Sequence, residues 1–138
     1  MAITVTGYNS YKDDLLKGNI DVTADTIKVA LVSSSYTFSA SHNFFDDITN
    51  ELSTAGGYTA GGATIASPTV TAGVFDAADT SWSSATFTCA GAVVYKSTGT
   101  AGTSPLMFFI NFDGNQSPSS QTFKIVWNAS GISAVTFA

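Results

Sequence analysis

The chain has 138 residues, the usual size of one domain, so we expect residues 1–138 to fold around a single core. Hydrophobic residues make up 44% of the sequence but charged residues only 11%, against about 25% in a typical soluble domain. The chain has no arginine and a net charge of −5, so it is poorly suited to neutralise the phosphates of nucleic acid or an anionic membrane surface. We therefore expect neither nucleic acid nor membranes among its partners.

The N-terminus and the cysteine content indicate the compartment of synthesis. Residues 1–7 contain neither the basic stretch nor the continuous apolar stretch of a secretory signal. Cys89 is the only cysteine, so an internal disulfide cannot form, and one cysteine with one histidine cannot build a zinc site. We expect synthesis in a reducing cytoplasm and no bound cofactor.

One stretch near the N-terminus has the pattern of a short helix. Apolar and aromatic residues recur there at helical spacing on one face: Tyr8, Tyr11 and Leu15. The sequence predicts Asn9 or Ser10 as the N-terminal cap and Gly18 just beyond the C-terminal end. A shorter helical turn is expected over residues 42–47.

The rest of the chain is typical of β-strands separated by Gly, Ser and Thr turns. Alternating apolar residues predict a first strand at about residues 25–33. The stretch from Ala63 to Thr71 is interrupted by Pro68, which suits an edge or a bend better than a central strand. Residues 123–127 and 132–137 are predicted to form the last two strands.

Two longer stretches are predicted to form the middle of a sheet. Thr86 to Lys96 alternates regularly, and Gly91 in its centre predicts a bulge or bend. One face of this strand is predicted to carry Phe87, Cys89, Gly91, Val93 and Tyr95. Both alternating faces of Leu106 to Phe112 are largely apolar, so this strand is either covered on both sides by its own chain or covered on one side by a partner.

About eight or nine short strands at this spacing predict an all-β fold. We expect an antiparallel β-sandwich, jelly-roll-like or Greek-key, with one short N-terminal helix. No long internal repeat is visible in the sequence, which argues against a solenoid or a propeller. The order of the strands stays open.

The residues that could carry catalysis or bind a metal form no recognisable motif. His42 and Asp46 have a spacing that could hold a metal, but a loop or a helix cap is the more common reason for such a pair. Cys89 lies on an apolar face, which is typical of an inert core thiol. We predict no catalytic residue, no metal ligand and no enzymatic activity.

Two acidic groups and three aromatic residues are further candidates for ligand binding, and each also has a purely structural interpretation. The acidic groups lack the ligand spacing of a calcium loop; they are Asp46, Asp47 and Glu51, and Asp76 with Asp79. Trp127 is in phase with apolar neighbours and is expected to be buried. Trp82 or Tyr58 could instead serve as a stacking platform for a sugar.

Several short motifs, in their order and spacing, resemble a family of small structural proteins from tailed bacteriophages. They run over nearly the whole chain: Gly57-Tyr-Thr-Ala-Gly-Gly62, Thr80-Ser-Trp82, Thr86-Phe-Thr88, Ala92-Val-Val-Tyr-Lys96, Thr103-Ser-Pro-Leu106, Ile110-Asn-Phe112, Phe123-Lys-Ile-Val-Trp-Asn128 and Gly131-Ile132. The opening segment from Tyr8 to Gly18 and the strand from Asp25 to Leu31 are also similar to that family. Cys89-Ala90-Gly91 departs from the pattern, which expects a larger polar or aromatic residue there.

This resemblance implies a virion component without enzymatic activity. Its leading version is a capsid decoration or cement protein on the outer shell, with the major capsid protein and further copies of itself as partners. Proteins of this kind are often trimeric. The alternatives are an adaptor of the neck, tail or fibre, and a carbohydrate-binding module on the particle surface.

Overall fold

The computed structural model describes residues 3–128, residue 131 and residues 133–134. Its helix, α1, spans Asn9–Leu16. The strands in chain order are β1 (Thr4–Gly7), β2 (Ile27–Val32), β3 (Ala63–Thr64), β4 (Thr69–Thr71), β5 (Val74–Asp76), β6 (Thr80–Ala85), β7 (Cys89–Lys96), β8 (Leu106–Gln116), β9 (Gln121–Ile125) and β10 (Ser133–Ala134). Two single 3₁₀ turns lie at Phe45–Asp47 and Ala101–Thr103.

A five-stranded antiparallel sheet forms the centre of the fold, in the order β1-β8-β7-β2-β3. Its middle strands are the apolar stretches that alternation predicted, because β-branched and aromatic side chains pack well on a pleated surface. Two smaller antiparallel sheets accompany it, with the orders β10-β5-β4 and β6-β9. The prediction of an all-β, antiparallel sandwich with one short helix is confirmed.

Both faces of the five-stranded sheet are covered within the described chain. On one face its side chains share a core with Phe75, Trp82 and Ile125 of the two smaller sheets and with Tyr11 of α1. On the other face, the segment 33–48 supplies a layer of aromatic side chains over β7 and β8. Phe109 of β8 packs there, so the chain itself covers both sides of the first half of that strand.

The short helix lies where the sequence predicts it, but its N-terminal cap is a different residue from the one predicted. Tyr8 occupies the N-terminal cap position, and its side chain makes no capping bond to the helix. The Asn9 N–H donates instead to the carbonyl of Ala40, 2.9 Å away. Tertiary contacts therefore replace the side-chain cap predicted at Asn9 or Ser10. Gly18 has a φ of +76° and ends the helix as predicted.

Pro68 divides the predicted strand at Ala63 to Thr71 into two. The first part, β3, lies at one edge of the five-stranded sheet, and the second, β4, at one edge of the three-stranded sheet. A proline cannot donate to a strand ladder. The chain therefore changes sheets at this point, and both parts lie at edges, as the sequence predicts.

The predicted irregularity at Gly91 is present, and it changes the faces of β7. Pairing with β8 jumps from Cys89↔Gln116 to Gly91↔Asn111, so extra residues of β8 bulge out. Cys89 consequently packs in the same core as Ala92, whereas Val93 and Tyr95 belong to the opposite face. The prediction that Cys89 shares a face with those two residues is wrong, because strict alternation does not continue through a bulge.

Two further observations complete the fold. The helix that the structure describes is too short to cross a bilayer. Of the strand predicted over residues 132–137, Ser133–Ala134 form β10, which pairs with β5. Ile132 and residues 135–138 lie outside the described residues.

Candidate functional site

The segment Gly57-Tyr-Thr-Ala-Gly-Gly62 fastens a long connection to the central sheet. Tyr58 is only 1% exposed, and its hydroxyl donates to the Glu51 carboxylate at 2.5 Å and accepts from the Leu31 N–H at 3.1 Å. The Gly61 N–H also donates to Glu51, at 2.5 Å. Burial, followed by the bond to Glu51, raises the pKa of Tyr58 well above its ordinary value. This motif is therefore a structural clamp built from shared hydrogen bonds.

Gly62 fits this clamp because it lacks a side chain. Its φ is +87°, and a Cβ there would collide with the backbone carbonyl of Val29 in β2. The neighbouring Gly61 carbonyl accepts a 2.6 Å bond from the Tyr95 hydroxyl. Burial raises the pKa of Tyr95 to about 12. The glycine and the two tyrosines together hold the connection against β2 and β7.

His42 belongs to a chain of hydrogen bonds on the aromatic face. Its Nδ1 lies 3.0 Å from the Tyr36 hydroxyl, which lies 2.8 Å from the hydroxyl of Tyr8. Burial raises the pKa values of both tyrosines. Asp46, the second member of the predicted pair, lies exposed on the adjoining 3₁₀ turn. Within residues 3–128 and the described positions beyond them, no three His, Cys, Asp or Glu side chains are arranged to hold a metal.

The acidic residues that sequence spacing grouped together have separate roles. Asp47 accepts the N–H groups of Asn43 and Phe44 at 2.8 and 3.3 Å, and these bonds lower its pKa. Asp76 accepts the N–H of its neighbour Ala77 at 2.9 Å. These carboxylates therefore stabilise local turns.

Asp79 connects distant parts of the chain. It accepts the backbone N–H of Trp127 at 3.1 Å, across 48 residues of sequence. The carboxylate thereby ties the segment that follows β9 to the start of β6. This contact is long-range, so the spacing of acidic residues along the chain does not predict it.

Cys89 is fully buried in the core between the sheets. Burial raises the pKa of its thiol to about 12. Because the thiolate is the reactive form of cysteine, such a thiol is a poor nucleophile at neutral pH.

Trp82 and Tyr58, the alternative platform for stacking against a sugar, are both buried. Trp82 is 6% exposed and Tyr58 lies deeper still, with their rings 6.3 Å apart inside the core. Neither ring is open to a sugar. Trp127 is buried as predicted.

The structure shows a different feature that the sequence analysis did not anticipate, an apolar groove of about 490 Å³ beside β1. One wall comes from β1 and β8, and the other from β9 and the residues that follow it. We call this feature the β1 groove; it is lined by Ile3, Val5, Phe108, Ile110, Phe112, Gln116, Phe123, Lys124, Ile125, Val126, Trp127, Asn128 and Gly131. Three of its aliphatic side chains are mainly in solvent: Ile3 is 61%, Val5 53% and Val126 68% exposed.

β1 itself is an edge strand whose four residues are all exposed. The N–H of Tyr8 donates to the carbonyl of Met107, directly opposite it. In an antiparallel pair such bonding alternates from residue to residue. The N–H and C=O groups of Ile3, Val5 and Gly7 therefore point away from β8, toward the open edge.

The alternation of Ile3, Thr4, Val5 and Thr6 is itself a strand pattern that could have revealed β1. The exposure of β1 could not be read from sequence, since it depends on how far β9 and the residues after it extend across the groove.

Compared with protein-family models, with curated proteins and with solved structures, the chain gives no match.

Proposed function

We propose that this chain is a structural protein of a bacteriophage virion, a decoration or cement protein that binds the outer shell and stabilises contacts between capsomers. The proposal joins two lines of support. The family resemblance supports a role as a virion component, and the β1 groove provides a surface suited to adhesion. The chain acts as a homo-oligomer with the major capsid protein as its further partner.

The observation that carries the proposal is the exposed apolar edge of the sandwich. Ile3, Val5 and Val126 place large aliphatic side chains in solvent around one groove. Large exposed apolar patches mark protein–protein interaction sites or ligand-binding grooves. A protein that works by adhering to neighbours needs such a surface.

The remaining surface suits dense packing of identical copies. The connections are rich in Gly, Ser and Thr, and charged residues make up only 11% of the chain. Few charges mean few ion pairs and little ordered solvent to displace when copies meet. The net charge of −5 keeps the free subunit soluble before assembly.

The cementing role is tested on particles of the phage that encodes the chain. We expect particles that lack this protein to lose DNA at lower temperature and under milder osmotic shock, because many modest contacts together oppose internal pressure. Adding back the purified chain should restore resistance. Particles without the protein that resist heat and osmotic shock as well as the wild type would overturn the proposal.

A further inference from the structure

We propose that β1 pairs with the β1 strand of a second copy, antiparallel and about a two-fold axis at Val5, which closes the β1 groove. This inference rests on the proposed function for the need to self-associate, and it names the surface that does so. Pairing of this kind would join the two five-stranded sheets edge to edge.

Among the sheet edges that the structure describes, the edge of β1 is the one that carries none of the usual protection. Natural proteins guard edge strands by shortness, charge, proline or a bulge. β3, β4 and β10 are two or three residues long, and Pro68 lies between the first two. β6 and β9 pair with each other in a two-stranded sheet, so each has a free edge; an irregularity breaks their pairing, and β9 also carries Lys124. Residues 3–7 contain no charge, no proline and no bulge.

The sequence of β1 is complementary to itself in this register. With Val5 opposite its own copy, Ile3 lies opposite Gly7, whose missing side chain leaves room for the isoleucine. Thr4 then lies opposite Thr6 on the other face, a favourable cross-strand pair. The backbone groups of Ile3, Val5 and Gly7 all point outward. Three pairs with two bonds each therefore give about six N–H···O bonds.

Charge also favours this surface for contact between identical copies. Each copy has ten acidic residues and a net charge of −5, so two copies repel each other in general. None of the residues that line the β1 groove is acidic, and Lys124 is its one charged member. Contact at this edge therefore brings together two surfaces whose lining residues include no carboxylate.

The side chains on the groove face gain apolar contact in the pair. Val5 lies directly opposite Ile110 of β8 and is 53% exposed. A second β1 strand would shield Ile3 and Val5 from water along the open side of the groove. A five-residue strand pair is smaller than a standard interface of about 1,600 Å². We therefore expect a dimer that dissociates on dilution.

The test is the mass of the full-length chain in solution, measured by light scattering on a size-exclusion column over a dilution series. The wild type should be a dimer at high concentration. Val5→Lys places two ammonium groups opposite each other and should raise the dissociation constant at least about tenfold. Val70→Lys is the matched control, because Val70 is also an edge-strand valine, 51% exposed, in β4. It should dimerise like the wild type.

A cross-linking variant keeps the test valid if Val5→Lys folds poorly. Opposed residues of an antiparallel pair are close enough for a disulfide, so Val5→Cys should form a covalent dimer under mild oxidation. Val70→Cys should not, and the buried Cys89 does not compete. A wild-type monomer or trimer, an unchanged dimer in Val5→Lys, or no disulfide dimer in Val5→Cys would overturn β1 pairing.

Failure of this contact is distinguishable from failure of the proposed function. A chain that is monomeric in solution but joins particles through Val5 would assign the edge to the capsid, which overturns self-pairing alone. A chain that dimerises through β1 but is absent from particles would overturn the virion role alone.

Discussion

The hydroxyl of Tyr58 lies 2.5 Å from the carboxylate of Glu51, and the same hydroxyl accepts the N–H of Leu31 in the central sheet. This one side chain thereby connects the long segment between β2 and β3 to the middle of the fold. Its ring also packs 6.3 Å from Trp82 and 6.2 Å from Phe87. The motif Gly57-Tyr-Thr-Ala-Gly-Gly62 thus has a structural role, which is to stabilise this connection.

Tyr58→Phe should lower the free energy of unfolding by about 1–3 kcal/mol, because it leaves the buried N–H of Leu31 without its acceptor and removes one of the two bonds to the Glu51 carboxylate. Urea denaturation followed by tryptophan fluorescence measures the change. Glu51→Gln keeps an oxygen that can accept both bonds, so its loss should be smaller. If Tyr58→Phe were as stable as the wild type, the clamp would not hold the connection.

Gly62→Ala should be far more destabilising than Gly73→Ala. Both glycines have a φ near +80°, at +87° and +78°, so alanine is strained at each by about 1–2 kcal/mol. Only at Gly62 does the new methyl group collide with a backbone carbonyl, that of Val29, while nothing lies near it at Gly73. Thermal unfolding of the two variants gives the comparison. Equal losses of stability in the two variants would mean that the backbone at Gly62 does not pack closely against Val29 of β2.

The thiol of Cys89 should resist an aromatic disulfide reagent in the folded protein and react completely in denaturant. It is fully buried, and its pKa is raised to about 12, so the native protein holds almost no accessible thiolate. The absorbance of the aromatic thiolate that the reagent releases, measured at mildly alkaline pH, follows the reaction. Rapid stoichiometric labelling of the native chain would contradict the core position of this residue.

Asp47 should contribute to stability at neutral pH and lose that contribution in acid. Two backbone N–H bonds lower its pKa in the folded protein, so the benefit is complete above the unfolded value of about 3.9 and disappears as the pH falls through the folded value. The effect should be below about 1 kcal/mol, because the carboxylate is exposed to solvent.

Urea midpoints at about pH 7 and about pH 3 test this expectation. Asp47→Asn should depend less on pH than the wild type does. Asp46→Asn, at the exposed neighbouring carboxylate, should keep the wild-type dependence. The reverse ranking of the two variants would show that Asp47 does not fasten the 3₁₀ turn.

The inner strands of the central sheet could be predicted because their side chains alternate over a long run. Ile27 to Val32 and Leu106 to Phe112 keep that alternation, and both became inner strands. The prediction failed at Cys89, where extra residues of β8 shift the pairing and reverse the faces. The helix cap at Asn9 failed for a similar reason, because its N–H found a distant carbonyl that local sequence does not reveal.

The β1 groove could not be predicted from sequence, although its residues are ordinary. Val5 and Val126 are distant in the chain, and they line the same groove because β9 and the residues after it end beside β1. Residues singled out for their chemistry proved to have structural contacts: His42 bonds to Tyr36, and Trp82 is buried. The candidate site is instead marked by aliphatic side chains that are exposed to solvent, and their exposure is set by the tertiary structure.

The number of copies of this chain on each particle tests the central claim most directly. We propose that a bacteriophage encodes the chain, and quantitative mass spectrometry of purified particles of that phage, with the major capsid protein as internal standard, gives this number. A decoration protein should be present in numbers comparable to the major capsid protein. A chain that is absent from the particles, or present in only a few copies as in a neck or tail, would contradict the account.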